Sequence, residues 1–297
     1  MLQRCARRFI LPLFPLLLLA SCAAREVKPT PVEPQRKAAK VAVVLGAGAA
    51  KGFAHVGVLK VLEMNHVPIH MIVGTSVGSF VGSLSAYGYP AYDLQKIAMT
   101  LEKGEIADLT VPDNGFVKGE KLEAYVNRMI RGTPMQELRI PFYAVATDIG
   151  SGQEMVFGKG NTGAAVRASC SIPGVFRPVR IGDRTYVDGG VVSPVAVDAA
   201  RRMGADLVIA VDISGEVSGT APEGTLDTIF QSINVMYSKI AAAQLSRADV
   251  VIHPKVGYIS SGDFTKRHEA ILEGEKAAQE ALPKIQAVLG ATRPPAP

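Results

Sequence analysis

A serine between glycines has the clearest pattern for chemistry in this sequence. Gly74-Thr75-Ser76-Val77-Gly78 fits G-x-S-x-G and lies between an apolar, strand-like segment and a helical pattern. Small flanking residues permit a sharp turn that projects the serine oxygen, and the amino end of the following helix favours developing negative charge. The pattern predicts Ser76 as a nucleophile, and the alternative interpretation is a turn that only caps a helix.

A glycine-rich loop, Gly46-Ala47-Gly48-Ala49-Ala50-Lys51-Gly52, follows the first strand-like segment. Glycines let backbone amides point into a shared space, which makes a cradle for an anion. The loop departs from the dinucleotide fingerprint G-x-G-x-x-G, because its sixth position is Lys51 and the next strand-like segment runs into Gly74 rather than an acidic residue. We therefore predict an oxyanion hole, where each amide donor contributes ~3–4 kcal/mol. Lys51 either orients this loop or lies in solvent.

An aspartate stands before two glycines in Asp188-Gly189-Gly190, after a predicted strand at Thr185–Val187. With glycines beside it, a carboxylate can project freely from the end of a strand. A serine hydroxyl is a weak nucleophile until a base removes its proton, and burial makes a carboxylate a better base by raising its pKa. Asp188 is therefore a candidate base, and the alternative interpretation is an Asp-Gly turn.

The order of these three motifs resembles the patatin-like phospholipase family. Residues 52–59 (GFAHVGVL), 146–148 (ATD) and 167–176 (RASCSIPGVF) add to the resemblance, which covers roughly residues 41–213. It implies a three-layer α/β/α fold with a mostly parallel central sheet, and hydrolysis of lipid acyl esters through an acyl-enzyme. By resemblance, Ser76 is the nucleophile, Asp188 is its partner in a Ser–Asp dyad, and residues 46–52 form the oxyanion hole. The family often has glycine where this chain has Ala47, which keeps the amide donor.

The resemblance also implies a membrane lipid substrate, a phospholipid or a lysophospholipid. No Cys/His cluster has metal-ligand spacing, so we expect neither a metal nor a cofactor. A thioesterase or an acyltransferase at the same site is one alternative. A lipoprotein that binds lipid or a partner without turnover is another.

A Ser-Asp-His triad of the α/β-hydrolase kind is the main mechanistic alternative, with His253 or His268 as the third member. Only residues 41–75 of the predicted folded chain precede Ser76, which is enough for one strand and one helix, whereas that fold usually places several strands there. His253 lies in an apolar strand pattern and His268 in a charged helix start, so we expect both to be structural or solvated.

Several other polar residues have a structural interpretation. We expect His55 to brace or pack against the glycine loop, and Asp148, Asp206 and Asp212 to bond loops at strand ends. A helical row is expected to pack against the core rather than a membrane; it consists of Leu226, Ile229, Ile233, Met236 and Ile240.

The elements that must position these residues alternate between strand and helix patterns. Strands are predicted at Val41–Leu45, Ile69–Val73, Phe142–Thr147, Thr185–Val187, Leu207–Ile213 and Val250–His253. Helices are predicted at Ala54–Met64, after Ser76, and near 90–103, 119–131, 193–203, 225–246 and 266–289. This alternation indicates an α/β sheet with helices on both faces. We expect a catalytic core at 41–213, completed as one domain by residues 214–290, and a disordered tail at 291–297.

The N-terminus predicts export and lipid anchoring. Residues 1–21 have arginines followed by a 12-residue apolar run, Phe9–Ala20, which is shorter than the ~20 residues needed to span a bilayer. Leu19-Ala20-Ser21-Cys22 resembles the bacterial lipoprotein box, with Cys22 as the lipidated thiol. Residues 22–40 then form a Pro-rich tether. Ala23, rather than an aspartate, follows the cysteine, so by resemblance we expect the outer membrane, facing the periplasm.

Composition agrees with an exported globular protein. Hydrophobic residues make up 48% of the 297 residues and charged residues 20%, so the chain can bury a core. The net charge of +5 includes three arginines of residues 1–21, and no basic patch with interleaved aromatic residues is present. We therefore expect no nucleic-acid partner. Cys5 is expected to leave with the signal peptide and Cys22 to carry lipid. Cys170 of the mature chain then has no second cysteine with which to form an intramolecular disulfide.

Overall fold

The computed structural model describes residues 39–110, 115–214, 222 and 224–292. The predicted signal peptide, Cys22, the tether as far as residue 38, and residues 293–297 lie outside the described residues. Within those ranges, no helix has both the length and the hydropathy that crossing a bilayer requires.

Eight strands and nine α-helices are found in the described part of the chain. The strands are β1 (Val41–Leu45), β2 (Met71–Thr75), β3 (Phe142–Asp148), β4 (Glu154–Phe157), β5 (Val179–Ile181), β6 (Arg184–Asp188), β7 (Leu207–Val211) and β8 (Val250–Ile252). The helices are α1 (Phe53–Met64), α2 (Val77–Tyr87), α3 (Ala91–Thr100), α4 (Lys103–Ile106), α5 (Glu120–Met129), α6 (Thr162–Ser169), α7 (Val197–Arg202), α8 (Thr225–Leu245) and α9 (Arg267–Thr292).

The strands form one sheet in the order β5-β6-β3-β2-β1-β7-β8, with β4 paired to β3. The five strands β3, β2, β1, β7 and β8 are parallel, whereas β4, β5 and β6 are antiparallel additions. Strands β1, β2 and β7 are buried along their whole length, as continuous apolar strands under two helical layers must be. The predicted mostly parallel sheet is confirmed.

Alternate side chains of β1 enter two separate cores. Val41, Val43 and Leu45 pack with α1, α2, α3, α5 and α9 on one face. Ala42 and Val44 pack with α7 and α8 on the other. Because the side chains of a strand alternate between the two faces of its sheet, one apolar segment serves both cores. This is the predicted α/β/α arrangement.

Strands β2 and β6 meet end to end beside β3. β2 and β4 both pair with Val145, so they lie on opposite sides of β3. β4 and β6 both pair with Ala146, so β6 lies on the same side as β2. β2 runs parallel to β3 and β6 runs against it, so Thr75 stands opposite Val145 while Asp188 stands opposite the next residue, Ala146. The residue that follows β2 is therefore brought to the last residue of β6.

The C-terminal helix α9 packs tightly on α1. A Cβ on Gly57 would lie 2.0 Å from the carbonyl oxygen of Ile271, and a Cβ on Gly274 would lie 2.0 Å from that of Ala54. The two helices approach this closely only because glycine stands at both crossing points. Since α1 begins directly after the glycine loop, α9 supports that loop from behind.

The predicted helical row on α8 is wrong at Met236, which is 53% exposed. The buried row instead contains Ile233, Tyr237, Ala241 and Gln244. Hydropathy alone does not identify the buried row, because two of its members, Tyr237 and Gln244, are polar. Their polar atoms form hydrogen bonds inside the protein: Gln244 Oε1, for example, accepts the Val195 amide.

The remaining differences from the predicted elements are at short or marginal segments. β6 is antiparallel and runs over Arg184–Asp188, β7 ends at Val211 instead of Ile213, and α9 continues to Thr292, beyond the predicted start of the tail. Strands β4 and β5 and helices α4 and α6 have no counterpart among the predicted elements. β4 is only half-buried along its length, so it lacks an apolar pattern, whereas α6 carries a recognisable start because the Asn161 side chain accepts the Ala164 amide.

Candidate active site

Ser76 occupies a sharp turn between β2 and α2. Its φ of 55° and ψ of −128° are unusual for a residue with a side chain, and such backbone strain concentrates at functional sites. A Cβ on Gly78 would lie 2.0 Å from the carbonyl oxygen of Leu45, and a Cβ on Gly74 would lie 2.5 Å from the Ser79 amide nitrogen. The two motif glycines are therefore required by close backbone approach.

Ser169, at the end of α6, holds this turn in place. The Ser76 amide donates to Ser169 Oγ at 2.9 Å, and Ser169 Oγ donates to the Val145 carbonyl oxygen at 2.6 Å. One hydroxyl thus connects the turn to β3. Ser169 lies within the family-like segment 167–176, but no local motif marks it as a site residue.

Ser76 and Asp188 are directly hydrogen-bonded. Ser76 Oγ donates to Asp188 Oδ2 at 2.5 Å, and the Asp188 side chain is fully buried. Asp188 Oδ1 accepts the Gly190 amide at 2.7 Å and the Tyr237 hydroxyl at 3.1 Å. The carboxylate is therefore oriented toward the serine by two donors on its other oxygen.

Burial raises the pKa of Asp188 from its ordinary value to about 6, while hydrogen bonds from Ser76, Gly190 and Tyr237 act in the opposite direction. A carboxylate with a pKa near 6 is ionised at neutral pH and is a stronger base than an exposed one. This electrostatic environment suits removal of the serine proton.

Tyr237, on α8, is a site residue that no motif in the sequence indicates. Burial next to Asp188 raises the pKa of Tyr237 well above its ordinary value, so its phenol stays protonated and donates. A Cβ on Gly190 would lie 2.2 Å from the Tyr237 ring, and one on Gly189 would lie 2.1 Å from the Val145 carbonyl oxygen. The first glycine of Asp-Gly-Gly thus fits against β3, and the second makes room for Tyr237.

The glycine loop differs along its length in how its backbone amides are hydrogen-bonded. The amides of Gly46, Ala47, Ala50 and Lys51 donate to the carbonyl oxygens of Val211, Pro194, Ser261 and Gly48. Among the described residues, the amides of Gly48 and Ala49 have no acceptor, and Ala49 takes a left-handed φ of 50°. The amides of Gly48 and Ala49 are therefore candidate donors within the segment predicted to form an oxyanion hole.

Three contacts brace the loop. Lys51 is only 2% exposed and donates through Nζ to the Ser214 carbonyl oxygen at 3.0 Å, so the solvent interpretation of this lysine is wrong. His55 Nε2 donates to the Gly46 carbonyl oxygen at 2.8 Å, and burial lowers the pKa of His55 to about 4, so it is neutral. A Cβ on Gly52 would lie 2.2 Å from Val77, so the loop also packs against the start of α2.

Neither candidate triad histidine reaches Asp188. His253 is half-exposed, with Nδ1 3.2 Å from Asp212 Oδ2, and His268 is exposed on α9. The hydrogen-bond partners of the Asp188 side chain are Ser76, Gly190 and Tyr237, so a Ser-Asp-His triad is not formed.

The other aspartates bond strand ends and loops, as expected. Asp206 accepts the Lys40 amide, Asp148 accepts the Gly150 amide, and Asp212 accepts the Ser214 amide. In the described ranges, no group of three or more His, Cys, Asp or Glu side chains has the arrangement of a metal site.

Comparison with known families agrees with this geometry. The family model of patatin-like phospholipases matches residues 43–201, more than half of the chain. The chain belongs to the patatin-like phospholipase family.

Two relatives show how far the similarity of this patatin-like protein extends. An uncharacterized NTE family protein of Mycobacterium bovis is 33% identical over 206 residues, covering 68% of this chain and 57% of the relative. A lysophospholipase named NTE1 from Coccidioides immitis is 30% identical over 239 residues, covering 76% of this chain and 15% of the relative. The chain thus spans little more than half of the first relative and a small part of the second.

A solved structure supports the patatin-like fold. VipD from Legionella pneumophila superimposes with a TM-score of 0.60 at 14% identity, covering 84% of this chain and 67% of VipD. At this identity, the likeness concerns the fold alone.

In this patatin-like protein, Ser76 lies in the wall of an apolar cavity of about 360 Å³. Ala49 of the glycine loop and the buried thiol of Cys170 line the same cavity. The cavity extends between α2, α3 and α5, where its lining is Phe80, Val81, Leu84, Leu94, Ile97, Ala98, Leu101 and Leu122. At its rim, Leu109 is 83% exposed. A long apolar group can therefore extend inward from Ser76.

Proposed function

We propose that this chain hydrolyses acyl esters of membrane lipids, with Ser76 and Asp188 as a catalytic dyad. The observation that carries the proposal is the 2.5 Å hydrogen bond from Ser76 Oγ to the buried Asp188 carboxylate, beside an apolar cavity. The family membership and the named lysophospholipase relative support the same reaction class.

In the first step, Asp188 removes the proton of Ser76 Oγ as that oxygen attacks the ester carbonyl carbon. Negative charge then develops on the carbonyl oxygen, and the amides of Gly48 and Ala49 stabilise it. When the tetrahedral intermediate collapses, the carbon–oxygen bond to the alcohol breaks, and Asp188 returns its proton to the departing alkoxide. The acyl group remains on Ser76 as an ester.

In the second step, Asp188 removes a proton from water, and the resulting hydroxide attacks the acyl carbon of the Ser76 ester. Collapse breaks the bond to Ser76 Oγ, which takes the proton back from Asp188. A free fatty acid leaves and the dyad is restored.

A lipid substrate fits the cavity because its lining is almost entirely apolar. Burying apolar surface contributes ~25 cal/mol per Å², so a long acyl chain gains far more here than a short polar acid. Few polar side chains line this cavity, so a polar acyl group would lose its hydration without replacement hydrogen bonds.

We also propose that lipid on Cys22 tethers the enzyme to the outer membrane, facing the periplasm, beside its substrate. The supporting observation is Leu19-Ala20-Ser21-Cys22 after a short apolar run.

The proposal is tested on the purified full-length protein with a fluorophosphonate probe and long-chain p-nitrophenyl esters. Labelling and hydrolysis should both be lost in Ser76→Ala and kept in Ser151→Ala, which changes an exposed serine. His253→Ala and His268→Ala should retain activity within roughly tenfold, ~1.4 kcal/mol. Labelling that persists in Ser76→Ala would overturn the role of Ser76. An inactive but folded histidine variant would instead support a triad.

A further inference from the structure

A second apolar cavity, about 380 Å³ in volume, is lined in part by Tyr237 and has no part in the mechanism above. Its walls come from α8, from the segment between α6 and β5, and from the turn that follows β6. It is lined by Pro173, Val191, Ile229, Ile233, Met236 and Tyr237, together with the hydroxyl residues Thr228 and Ser232.

The two cavities share one wall. Ile172, Ile233 and Tyr237 belong to a single apolar cluster, against which Ile229 and Phe230 pack. Ile172 and Phe230 line the first cavity, whereas Ile229, Ile233 and Tyr237 line the second. The cavities are therefore neighbours, separated by the thickness of these side chains.

The second cavity is also next to the proposed catalytic dyad. Tyr237 lines it and donates a hydrogen bond to Asp188. Val191, another lining residue, ends the short turn that begins directly after Asp188. Ser76 lines the first cavity, and Tyr237, which contacts Asp188, lines the second, so both cavities adjoin the dyad residues.

The lining of the second cavity selects for an aliphatic group. No charged side chain is among its lining residues in the described part of the chain, so a phosphate or a quaternary amine would find no partner there. Met236, half-exposed at its edge, leaves the cavity open to an arriving chain.

Building on the proposed function, we propose that this second cavity holds the aliphatic chain that is not cut. The substrate is then a lipid with two chains, one in each cavity, with the glycerol backbone between them near Ser76.

The test uses full-length protein and soluble phospholipids that carry one cleavable hexanoyl ester and one ether-linked alkyl chain, lengthened from methyl to octyl. Lipid concentrations stay below micelle formation. Each added methylene should raise kcat/KM up to about fourfold, the gain expected for burying one methylene. Ser232→Trp fills the second cavity from an exposed helix position and should reduce the total gain from methyl to octyl by at least about tenfold.

Thr228→Trp provides a second filling variant at another exposed lining position. Ala243→Trp is the matched control, because Ala243 is exposed on α8 but does not line the cavity; it should keep the wild-type gain. A wild-type rate that is independent of alkyl length overturns the inference and leaves the proposed function intact. A gain that survives both filling variants places the chain elsewhere and also overturns it. Failure of folded wild type to cleave any ester would overturn the proposed function itself.

Discussion

Tyr237 and Asp188 are joined by a buried hydrogen bond in which the phenol donates to Oδ1 at 3.1 Å. Ser76 donates to the other oxygen, Oδ2, so the two carboxylate oxygens have separate partners. Burial raises the pKa of Asp188, and the bond from Tyr237 opposes that rise by stabilising the ionised form. A helix outside the family-matched segment thus contributes one of the hydrogen bonds that lower the pKa of the proposed catalytic base.

Removing this donor should move the pH dependence of the reaction. In Tyr237→Phe the ring still fits against Gly190, but Asp188 loses a hydrogen bond of ~1 kcal/mol, so its pKa rises by roughly half to one unit. The acidic limb of kcat/KM for a p-nitrophenyl ester should therefore shift to higher pH by that amount. Tyr258→Phe, at an exposed tyrosine, should leave the limb where it is. An unshifted limb in folded Tyr237→Phe would rule out this role.

Asp188→Asn should abolish turnover and stabilise the fold at alkaline pH. The folded-state pKa of about 6 lies above the ordinary 3.8, so the folded state binds this proton more tightly than the unfolded state. Ionisation of Asp188 therefore costs stability, most fully above about pH 6 and not at all below about pH 4. The asparagine variant escapes this cost, which amounts to ~3 kcal/mol at most.

The measurement is urea unfolding of both proteins at about pH 8 and about pH 4. Asp188→Asn should exceed wild type in unfolding free energy at the higher pH, and the difference should disappear at the lower pH. Burial lowers the pKa of His55 to about 4, so protonation of His55 reduces the stability of the fold at acidic pH. Both proteins contain His55, so comparing them at equal pH cancels its contribution. A variant that is less stable than wild type at alkaline pH would contradict this account of Asp188.

Gly48→Val should reduce turnover by about a hundredfold to a thousandfold, the cost of losing one oxyanion donor. A Cβ on Gly48 would lie 2.7 Å from the Ile213 side chain, so the loop must move away from its position beside Ser76. Gly290→Val is the control, since a Cβ there meets nothing within 4 Å. Rates near wild type in a Gly48→Val protein with unchanged circular dichroism would assign the oxyanion to other donors.

Lipid anchoring is tested by metabolic labelling with an alkyne fatty acid. Label should appear on wild type and on Cys170→Ala, whose thiol is buried, and should be absent from Cys22→Ala. Density fractionation should place the wild type with the outer membrane. Equal labelling of Cys22→Ala would remove the lipoprotein interpretation, and recovery with the inner membrane would correct the location.

The three chemical motifs were predictable because each carries its backbone requirement in a short run of sequence. Gly78 faces the Leu45 carbonyl oxygen and Gly189 faces the Val145 carbonyl oxygen at distances that exclude a side chain. A position that excludes a side chain appears as glycine in the sequence. The serine or aspartate beside it is then the candidate for a chemical role.

Tyr237 and Ser169 could not be predicted in the same way. Tyr237 lies 49 residues from Asp188, and Ser169 lies 93 residues from Ser76, so neither carries a local signal. The antiparallel direction of β6 was also hidden, because a short strand pattern is the same in both directions. The meeting of β2 and β6 along β3 depends on register, which a single sequence does not display.

The pairing of β1 between β2 and β7 has a consequence for how the chain is made. Lys40, just before β1, bonds to Asp206, 166 residues later, so the first strand to emerge must wait for one of its neighbours. At ordinary rates of synthesis this wait is on the order of ten seconds or more. During that interval the edge of β1 that will pair with β7 has free backbone N–H and C=O groups. These groups can pair with a strand of another chain, which leads to aggregation. The yield of folded chain then depends on how well that edge is protected until β7 has been made, whether the chain emerges from a ribosome or through a translocation channel.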